Sequence, residues 1–410
     1  MAELLGGEVM RFGSVCSGIE AASVAFEPLG WSAAWLAEIE PFPSAVLAHH
    51  YPDVPNLGDM TAIPRRVLSG EIEAPDMLCG GTPCQAFSVA GLRESLSDER
   101  GNLTLTFVEI ADAIDHVRAR RGAPPAIILW ENVPGVLSTR DNAFGCFLAG
   151  LAGEDDPLEP PGGRWANAGA VYGPERAVAW RLLDAQFFAL AQRRRRVFVV
   201  ASAREGFDPA TVLFEWDGLR RDSAPSREAR QVAPTIPARS TAGGGLGTDF
   251  DCDGGLIEAS TRRMVAFGEY RDDGSATVVQ QPTPTMQVRR PTPRECERLM
   301  GFPDDYTLIP WKAHQAWAKR KGTNAAGQSF EQWLIETTGR GLREPTTQDC
   351  PDGPRYRALG NSWAIPVVRW IGQRIDSVLS RGQTRPSHVE AAQKRSTPES
   401  GEQRRDRTGS

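Results

Sequence analysis

Residues 126–135 read Ala-Ile-Ile-Leu-Trp-Glu-Asn-Val-Pro-Gly, an apolar run that leads into a glutamate, an asparagine and a turn. A short apolar run bounded by turn residues is typical of a buried strand, and this one places Glu131 at its carboxyl end. A carboxyl group there is partly desolvated, so its pKa rises and it can hold a proton near neutral pH. Considered alone, Glu131 could equally be a helix-capping or surface carboxylate.

Residues 76–85, Asp-Met-Leu-Cys-Gly-Gly-Thr-Pro-Cys-Gln, repeat this arrangement with a thiol. The apolar strand ends in two glycines and a proline, so Cys84 falls in the loop after the strand, where open α/β sheets bind ligands. A cysteine exposed near amide dipoles can be a thiolate nucleophile. The competing interpretation is a small buried apolar residue.

Short apolar segments alternate with helix-like stretches through the first two hundred residues, which predicts a doubly wound α/β fold with a largely parallel sheet. One helix is indicated by an apolar stripe from Leu103 to Val117. The predicted strands are 9–15, 33–38, 76–79, 126–131, 177–183 and 197–202. The predicted organisation is a core over 1–204, a small inserted domain over 205–288, a return to the core over 289–381 and a disordered tail over 382–410.

The composition of the 410 residues excludes several protein classes. With 40% hydrophobic and 24% charged residues, the chain is globular and is neither collagen nor a coiled coil. Its net charge of −6 does not by itself favour a polyanionic partner. Seven scattered cysteines argue against a disulfide framework, and the Cys79 and Cys84 pair lacks a second pair of ligands, so no metal site is predicted. Without a signal sequence or an apolar span, a cytoplasmic protein with no membrane partner is expected.

Four consecutive arginines, Arg193 to Arg196, precede the last predicted strand of the first half. Alternate residues of an extended segment share a face. Arg194 and Arg196 therefore point one way, and Arg193 and Arg195 the other. One pair could enter a site and grip a phosphate or a base carbonyl, whereas a solvated basic edge is the alternative.

The first strand runs into a turn of small residues at 14–20 and then a helix start, which suits a nucleoside or sulfonium cofactor approaching the backbone. Gly-x-Gly-x-x-Gly is absent, so a dinucleotide is not indicated. Glu38 and Glu40 follow the second strand, where an acidic residue commonly binds a ribose.

Taken in order, these motifs resemble the cytosine-5 DNA methyltransferases of bacteria and phages. The resemblance extends over about 280 residues and rests on Pro-Cys-Gln at 83–85, Glu-Asn-Val at 131–133, Gln-x-Arg-x-Arg at 192–196, the segment 294–303 and Gly-Asn-Ser at 360–362. It implies a Rossmann-like methyltransferase fold and S-adenosylmethionine as cofactor. It further implies a thiolate addition of Cys84 to C6 of a flipped cytosine, with Glu131 at N3, Arg196 at O2 and Arg194 supporting the loop or a phosphate.

The remaining roles implied by the resemblance are assigned by position. The cofactor-binding residues are Ser14, Cys16, Gly18, Ile19, Glu38, Asp59, Asn361 and Ser362, and the substrate-binding residues are Pro83, Gln85, Asn132 and Gln192. The first cofactor loop departs from the family's Asp-Leu-Phe-x-Gly-x-Gly-Gly, because its aromatic residue and two glycines are missing.

The resemblance also implies partners and leaves alternatives open. Residues 205–288 correspond to a target-recognition domain, which favours double-stranded DNA as substrate. The resemblance also implies a monomer that acts in restriction-modification or phage self-protection, with a restriction endonuclease as a possible partner. Residues 311–353 form a longer segment than usual, whose tryptophans either pack or add DNA-facing surface. An RNA (tRNA) cytosine-5 methyltransferase and a catalytically impaired DNA-binding homologue are the alternatives. A thiol hydrolase is disfavoured because no histidine lies near a strand end that carries a motif.

Overall fold

The computed structural model describes residues 9–83, 103–215, 257–261, 285–321, 330–338, 345–346 and 348–383. Seven strands of the described residues form one sheet in the order β2-β1-β3-β4-β7-β6-β5. The strands are β1 (Arg11–Val15), β2 (Ser32–Ala37), β3 (Met77–Gly80), β4 (Ile127–Asn132), β5 (Ala168–Tyr172), β6 (Ala177–Asp184) and β7 (Arg195–Ser202), with a separate antiparallel pair of β8 (Ile257–Thr261) and β9 (Thr285–Arg289).

The six strands predicted from apolar runs are all present, and β5 was missed. β1 to β4 pair in parallel, whereas β7 is antiparallel to both β4 and β6, and β6 is antiparallel to β5. The prediction of a doubly wound, largely parallel sheet is therefore confirmed for its first four strands. The antiparallel direction of β7 has a direct consequence: β7 begins at the same edge of the sheet at which β4 ends.

Helices cover both faces of the sheet. One apolar layer packs beneath α1 and α11, and the other packs beneath α3, α4 and α5. The apolar stripe predicted between Leu103 and Val117 faces the second layer. The helices are α1 (Ala21–Phe26), α2 (Pro41–His50), α3 (Ile63–Leu68), α4 (Leu103–Arg120), α5 (Ala143–Ala152), α6 (Pro209–Leu213), α7 (Pro293–Met300), α8 (Trp311–Lys321), α9 (Phe330–Thr338), α10 (Asp352–Asn361) and α11 (Ile365–Gln383).

The chain packs into the first apolar layer again at α7. Thr292 and Glu295 form a reciprocal capping box at the start of α7, and Gly301 ends it in the left-handed conformation (φ 86°). α11 then packs against α1 and α6, which closes the first apolar layer.

The predicted domain limits at 204/205, 288/289 and 381/382 fall within described residues, whereas most of the region between the first two does not. α6, on the insert side of the predicted boundary at 205, packs against β6 and β7, and Arg374 of α11 donates to the carbonyl of Phe214 at 2.8 Å. Most of the predicted recognition region, 216–256 and 262–284, lies outside the described residues, as does 384–410 of the predicted tail. None of the described helices combines the length and apolar character needed to cross a bilayer.

Candidate active site at the end of the central strands

The carboxyl ends of β3 and β4 lie side by side at the centre of the sheet. Gly80 pairs with Trp130 in parallel register, so the chain leaving β3 runs directly past Glu131. A methyl group on Gly81 would lie 3.1 Å from the carbonyl oxygen of Glu131 and 3.2 Å from its Oε2. Only a glycine permits this close approach without displacement, because 3.1 Å is tighter than ordinary contact between heavy atoms.

Thr82 anchors the chain just before the predicted nucleophile. Its carbonyl accepts a hydrogen bond from Asn132 Nδ2 at 3.0 Å. Its hydroxyl accepts one from Trp130 Nε1 at 3.0 Å and lies 2.7 Å from the hydroxyl of Thr104 at the start of α4. Hydrogen bonding thereby links Thr82 and Thr104, which flank the segment 84–102. Cys84 and Gln85 themselves lie outside the described residues, so their predicted roles stay predictions.

Glu131 is buried and forms an ion pair with Arg196. Arg196 Nε lies 2.9 Å from Glu131 Oε1. Burial raises the pKa of Glu131, while the positive charges of Arg196 and Arg194 and a hydrogen bond from Trp363 oppose the rise. The expected upward pKa shift is therefore present, and its first cause is desolvation.

The alternation predicted for the four arginines is borne out by their exposure. Arg194 is 2% exposed and the Arg196 side chain 16%, whereas the side chain of Arg193 is 64% exposed. Arg194 donates to the carbonyls of Gly360 at 3.0 Å and Ser362 at 2.6 Å. Burial lowers its pKa to about 9, still above neutral pH, so its guanidinium remains charged. Its position fits support of the backbone at 360–362.

Two of the predicted substrate-binding residues are enclosed by protein. Asn132 is buried and donates to Thr82, and its side-chain oxygen accepts from the backbone of Val133 at 2.8 Å. Gln192 is fully buried, and within the described part of the chain neither of its amide atoms has a hydrogen-bond partner. Pro83, in contrast, is exposed.

The predicted cofactor loop, residues 14–20, turns through three left-handed residues, Cys16 (φ 49°), Gly18 (φ 56°) and Glu20 (φ 62°). The sequence analysis missed the role of Glu20. Its carboxyl group accepts from the hydroxyl of Ser14 at 3.0 Å and from the backbone of Ser23 at 3.1 Å, and burial raises its pKa to about 7. Glu20 thus caps α1 and shapes a loop that lacks the family's usual glycines.

Glu38 connects this loop to the end of β2. Its Oε2 accepts from the backbone N–H of Gly18 at 2.8 Å, and its Oε1 accepts from that of Glu40 at 2.7 Å. The next residue, Ile39, was not predicted as a site residue, yet its side chain is 73% exposed. A methyl group on Gly18 would meet no atom within 4 Å. A partly buried acid, an exposed apolar side chain and open space are therefore found in this loop region.

The other predicted cofactor residues differ in exposure. Ser14 and Ile19 are buried. Asp59 is exposed and accepts from the backbone of Thr61 at 2.9 Å. Asn361 is exposed at the end of α10, while Ser362 is buried. Among the described side chains, no group of three or more His, Cys, Asp or Glu is placed to hold a metal.

Comparisons with known proteins agree with this geometry. Residues 10–155 match the family model of the C-5 cytosine-specific DNA methylases. The type II methyltransferase M.AquIA of Picosynechococcus sp. is 30% identical over 46% of this chain and 70% of its own length. The chain belongs to the C-5 cytosine-specific DNA methylase family. S-adenosylmethionine is accordingly its cofactor, and the carboxylate, the exposed Ile39 and the open space at Gly18 fit a nucleoside.

Two further similarities extend over most of the chain. The DNA N-6-adenine-methyltransferase of Escherichia phage P1 is 45% identical over 90% of this chain, and the chain spans 61% of the length of that relative. The solved structure of the S. pombe Dnmt2 methyltransferase covers 90% of this chain and 99% of its own, with a TM-score of 0.53 at 14% identity, which shows a shared fold.

Proposed function

We propose that this protein methylates C5 of cytosine in double-stranded DNA. The single observation that carries the proposal is the buried Glu131–Arg196 pair at the end of β4, beside the strand that leads to Cys84. An acid whose pKa is raised by burial and a guanidinium beside it are the groups needed to bind and polarise a pyrimidine edge.

Cytosine C5 is a weak nucleophile, which explains why both a thiol and an acid are needed. The Cys84 thiolate adds to C6 while Glu131 donates a proton or hydrogen bond to N3, and the ring becomes an enamine. C5 then takes the methyl group that S-adenosylmethionine supplies when bound. A base removes the C5 proton, the Cys84 sulfur leaves with the electrons of its bond to C6, and aromaticity is restored.

The remaining residues serve this reaction by position. Arg196 faces the base at O2, and Arg194 holds the backbone of residues 360–362. Glu38, Ile39 and the loop 14–20 would hold the nucleoside of the cofactor, with Asp59, Asn361 and Ser362 closing the site. The target base is stacked inside a duplex, so it must flip outwards. Recognition of its sequence is assigned to 205–288, in a monomer that protects DNA alongside a restriction endonuclease.

The printed name of the phage P1 relative makes adenine N6 the rival target. An exocyclic amine is itself a nucleophile and needs neither covalent addition of a thiolate nor protonation of a ring nitrogen. Gly81, Glu131 and Arg196 would have no evident task in such a reaction. The relative also extends well beyond this chain, which spans 61% of its length.

The proposal is tested by identifying the modified base. Purified protein is incubated with labelled S-adenosylmethionine and duplex DNA, tRNA or no polymer, and the products are digested and separated by mass spectrometry. We expect 5-methylcytosine in DNA and none after Cys84→Ser, a variant that should still bind DNA. Labelled N6-methyladenine, 5-methylcytosine only in tRNA, or full turnover by the serine variant would each contradict the proposal.

A further inference from the structure

Trp363 lies where the chain returns to the active site between α10 and α11. Its indole packs against Phe198 of β7, with ring centroids 6.5 Å apart and planes at 76°. Its Nε1 lies 3.3 Å from the position that a methyl group on Gly81 would take, and Glu131 Oε2 lies 3.2 Å from the same point. The indole nitrogen and the carboxyl group therefore both border the space in front of Gly81.

The indole N–H of Trp363 donates a hydrogen bond to the Glu131 carboxyl group. Arg196 Nε forms an ion pair with the same carboxyl group, 2.9 Å from Oε1. A hydrogen-bond donor after α10 and a cation on β7 thus act on one carboxyl group from different parts of the chain. Both favour one orientation of the carboxyl group before a base arrives.

The backbone that carries Trp363 is itself anchored. Arg194 donates to the carbonyls of Gly360 and Ser362, which lie three residues and one residue before Trp363. Asn361, predicted to close the cofactor site, lies between these two anchor points. Trp363 is therefore the link between the closing segment and the acid that meets the base.

We propose that Trp363 is a positioning residue that holds the Glu131 carboxyl group in its productive orientation. This inference rests on the proposed cytosine-5 chemistry. It predicts that loss of the indole N–H slows turnover without weakening the binding of DNA or cofactor, because Trp363 acts through Glu131 and need not touch either ligand.

The test compares Trp363→Phe with Trp180→Phe. Trp180 also uses its buried indole N–H in a hydrogen bond, to the carbonyl of Ala166 at 3.0 Å on an outer part of the sheet, and so matches the chemical change. We expect Trp363→Phe to lower kcat for 5-methylcytosine formation about tenfold to a hundredfold, the effect of losing a hydrogen bond to a charged group. The KM values for DNA and S-adenosylmethionine should stay within about twofold.

A pH profile separates positioning from general loss of structure. Within the described part of the chain, the charged groups that act on Glu131 are Arg196 of β7 and Arg194 just before it, and neither changes in the variant. A donor to the ionised carboxyl group lowers its pKa, so removing the donor raises it. The alkaline limb of kcat, where Glu131 loses its proton, should therefore move to higher pH in Trp363→Phe and stay in place in Trp180→Phe.

A second variant covers the case in which phenylalanine disturbs the packing. Trp363 is replaced by 3-benzothienylalanine, which keeps the bicyclic ring and lacks the N–H. The same fall in kcat and the same shift of the limb are expected. A wild-type kcat and an unshifted alkaline limb of the pH profile in this variant would overturn the positioning role. Absence of 5-methylcytosine with the wild-type protein would instead overturn the proposed function on which that role rests.

Discussion

Replacing Arg196 with glutamine tests whether the Glu131 carboxyl group depends on its partner for its charge. The guanidinium Nε lies 2.9 Å from Glu131 Oε1, and both side chains are largely enclosed. Glutamine retains much of the side-chain length and removes the charge. Burial already raises the pKa of Glu131, and Arg196 is the first of the groups that oppose that rise. The variant should therefore have a still higher pKa at Glu131.

The sign of the stability change follows from linkage. A carboxyl group whose pKa is raised on folding contributes its full stability below the unfolded pKa, near 4.5, and loses it as the pH rises through the folded pKa. Near pH 5 the substitution should cost about 1 kcal/mol, a lost hydrogen bond. At pH 8 it should cost about 3 kcal/mol, because removing one partner of a buried ion pair leaves an uncompensated charge.

The assay is urea unfolding followed by far-ultraviolet circular dichroism at several pH values. Arg193→Gln is the matched control, since it removes the neighbouring charge from a side chain that is 64% exposed. The double variant with Glu131→Gln should have no extra pH dependence. A cost for Arg196→Gln that is equal at pH 5 and pH 8, or a pH dependence that survives in the double variant, would refute the reasoning.

Three further changes follow from the same geometry. Glu131→Gln should lower kcat about 10²-fold to 10⁴-fold, which is the usual contribution of a positioned proton donor. DNA affinity measured by fluorescence anisotropy should change little. Equal losses of kcat and DNA affinity would indicate a structural role. Glu38→Ala removes the acceptor of the Gly18 backbone N–H and should weaken S-adenosylhomocysteine about tenfold in calorimetry, with unchanged affinity as the contrary result. Gly81→Ala places a methyl group against Glu131 and the Trp363 indole. It should reduce kcat and lower the free energy of unfolding by about 1–3 kcal/mol. Wild-type values for both quantities would show that Glu131 and Trp363 can move apart to accommodate the methyl group.

The sequence predicts those parts of the site that depend on local pattern. Apolar runs that end in a polar residue place Glu131 at a strand terminus, and the two-residue period separates the enclosed Arg194 and Arg196 from the exposed Arg193. These features need only the geometry of one strand. The left-handed turn at Glu20 has no such local signal, because a glutamate rarely adopts that conformation and does so here through its bonds to Ser14 and Ser23.

Contacts between distant segments could not be predicted from local pattern. Trp363 meets Glu131 across 232 positions of the chain, and nothing in the surrounding residues distinguishes it from a packing tryptophan. The contact between the Thr82 and Thr104 hydroxyls likewise leaves no signal in the sequence, because two threonines that share a hydrogen bond have no characteristic sequence spacing. Such contacts are fixed by the order of the strands and by the return of the chain through α10 and α11.

The direction of β7 explains why the acid and the arginines meet at all. Glu131 lies near the end of β4, whereas Arg194 and Arg196 lie at the beginning of β7 or just before it. If β7 ran parallel to β4, its beginning would lie at the opposite edge of the sheet, roughly 20 Å away at about 3.3 Å per residue. Because β7 is antiparallel, Asn132 pairs with Val197, and the arginines are placed beside the carboxyl end of β4. The one departure from a parallel sheet next to β4 is thus what completes the candidate site, and any rearrangement that reversed β7 would separate Glu131 from both charges.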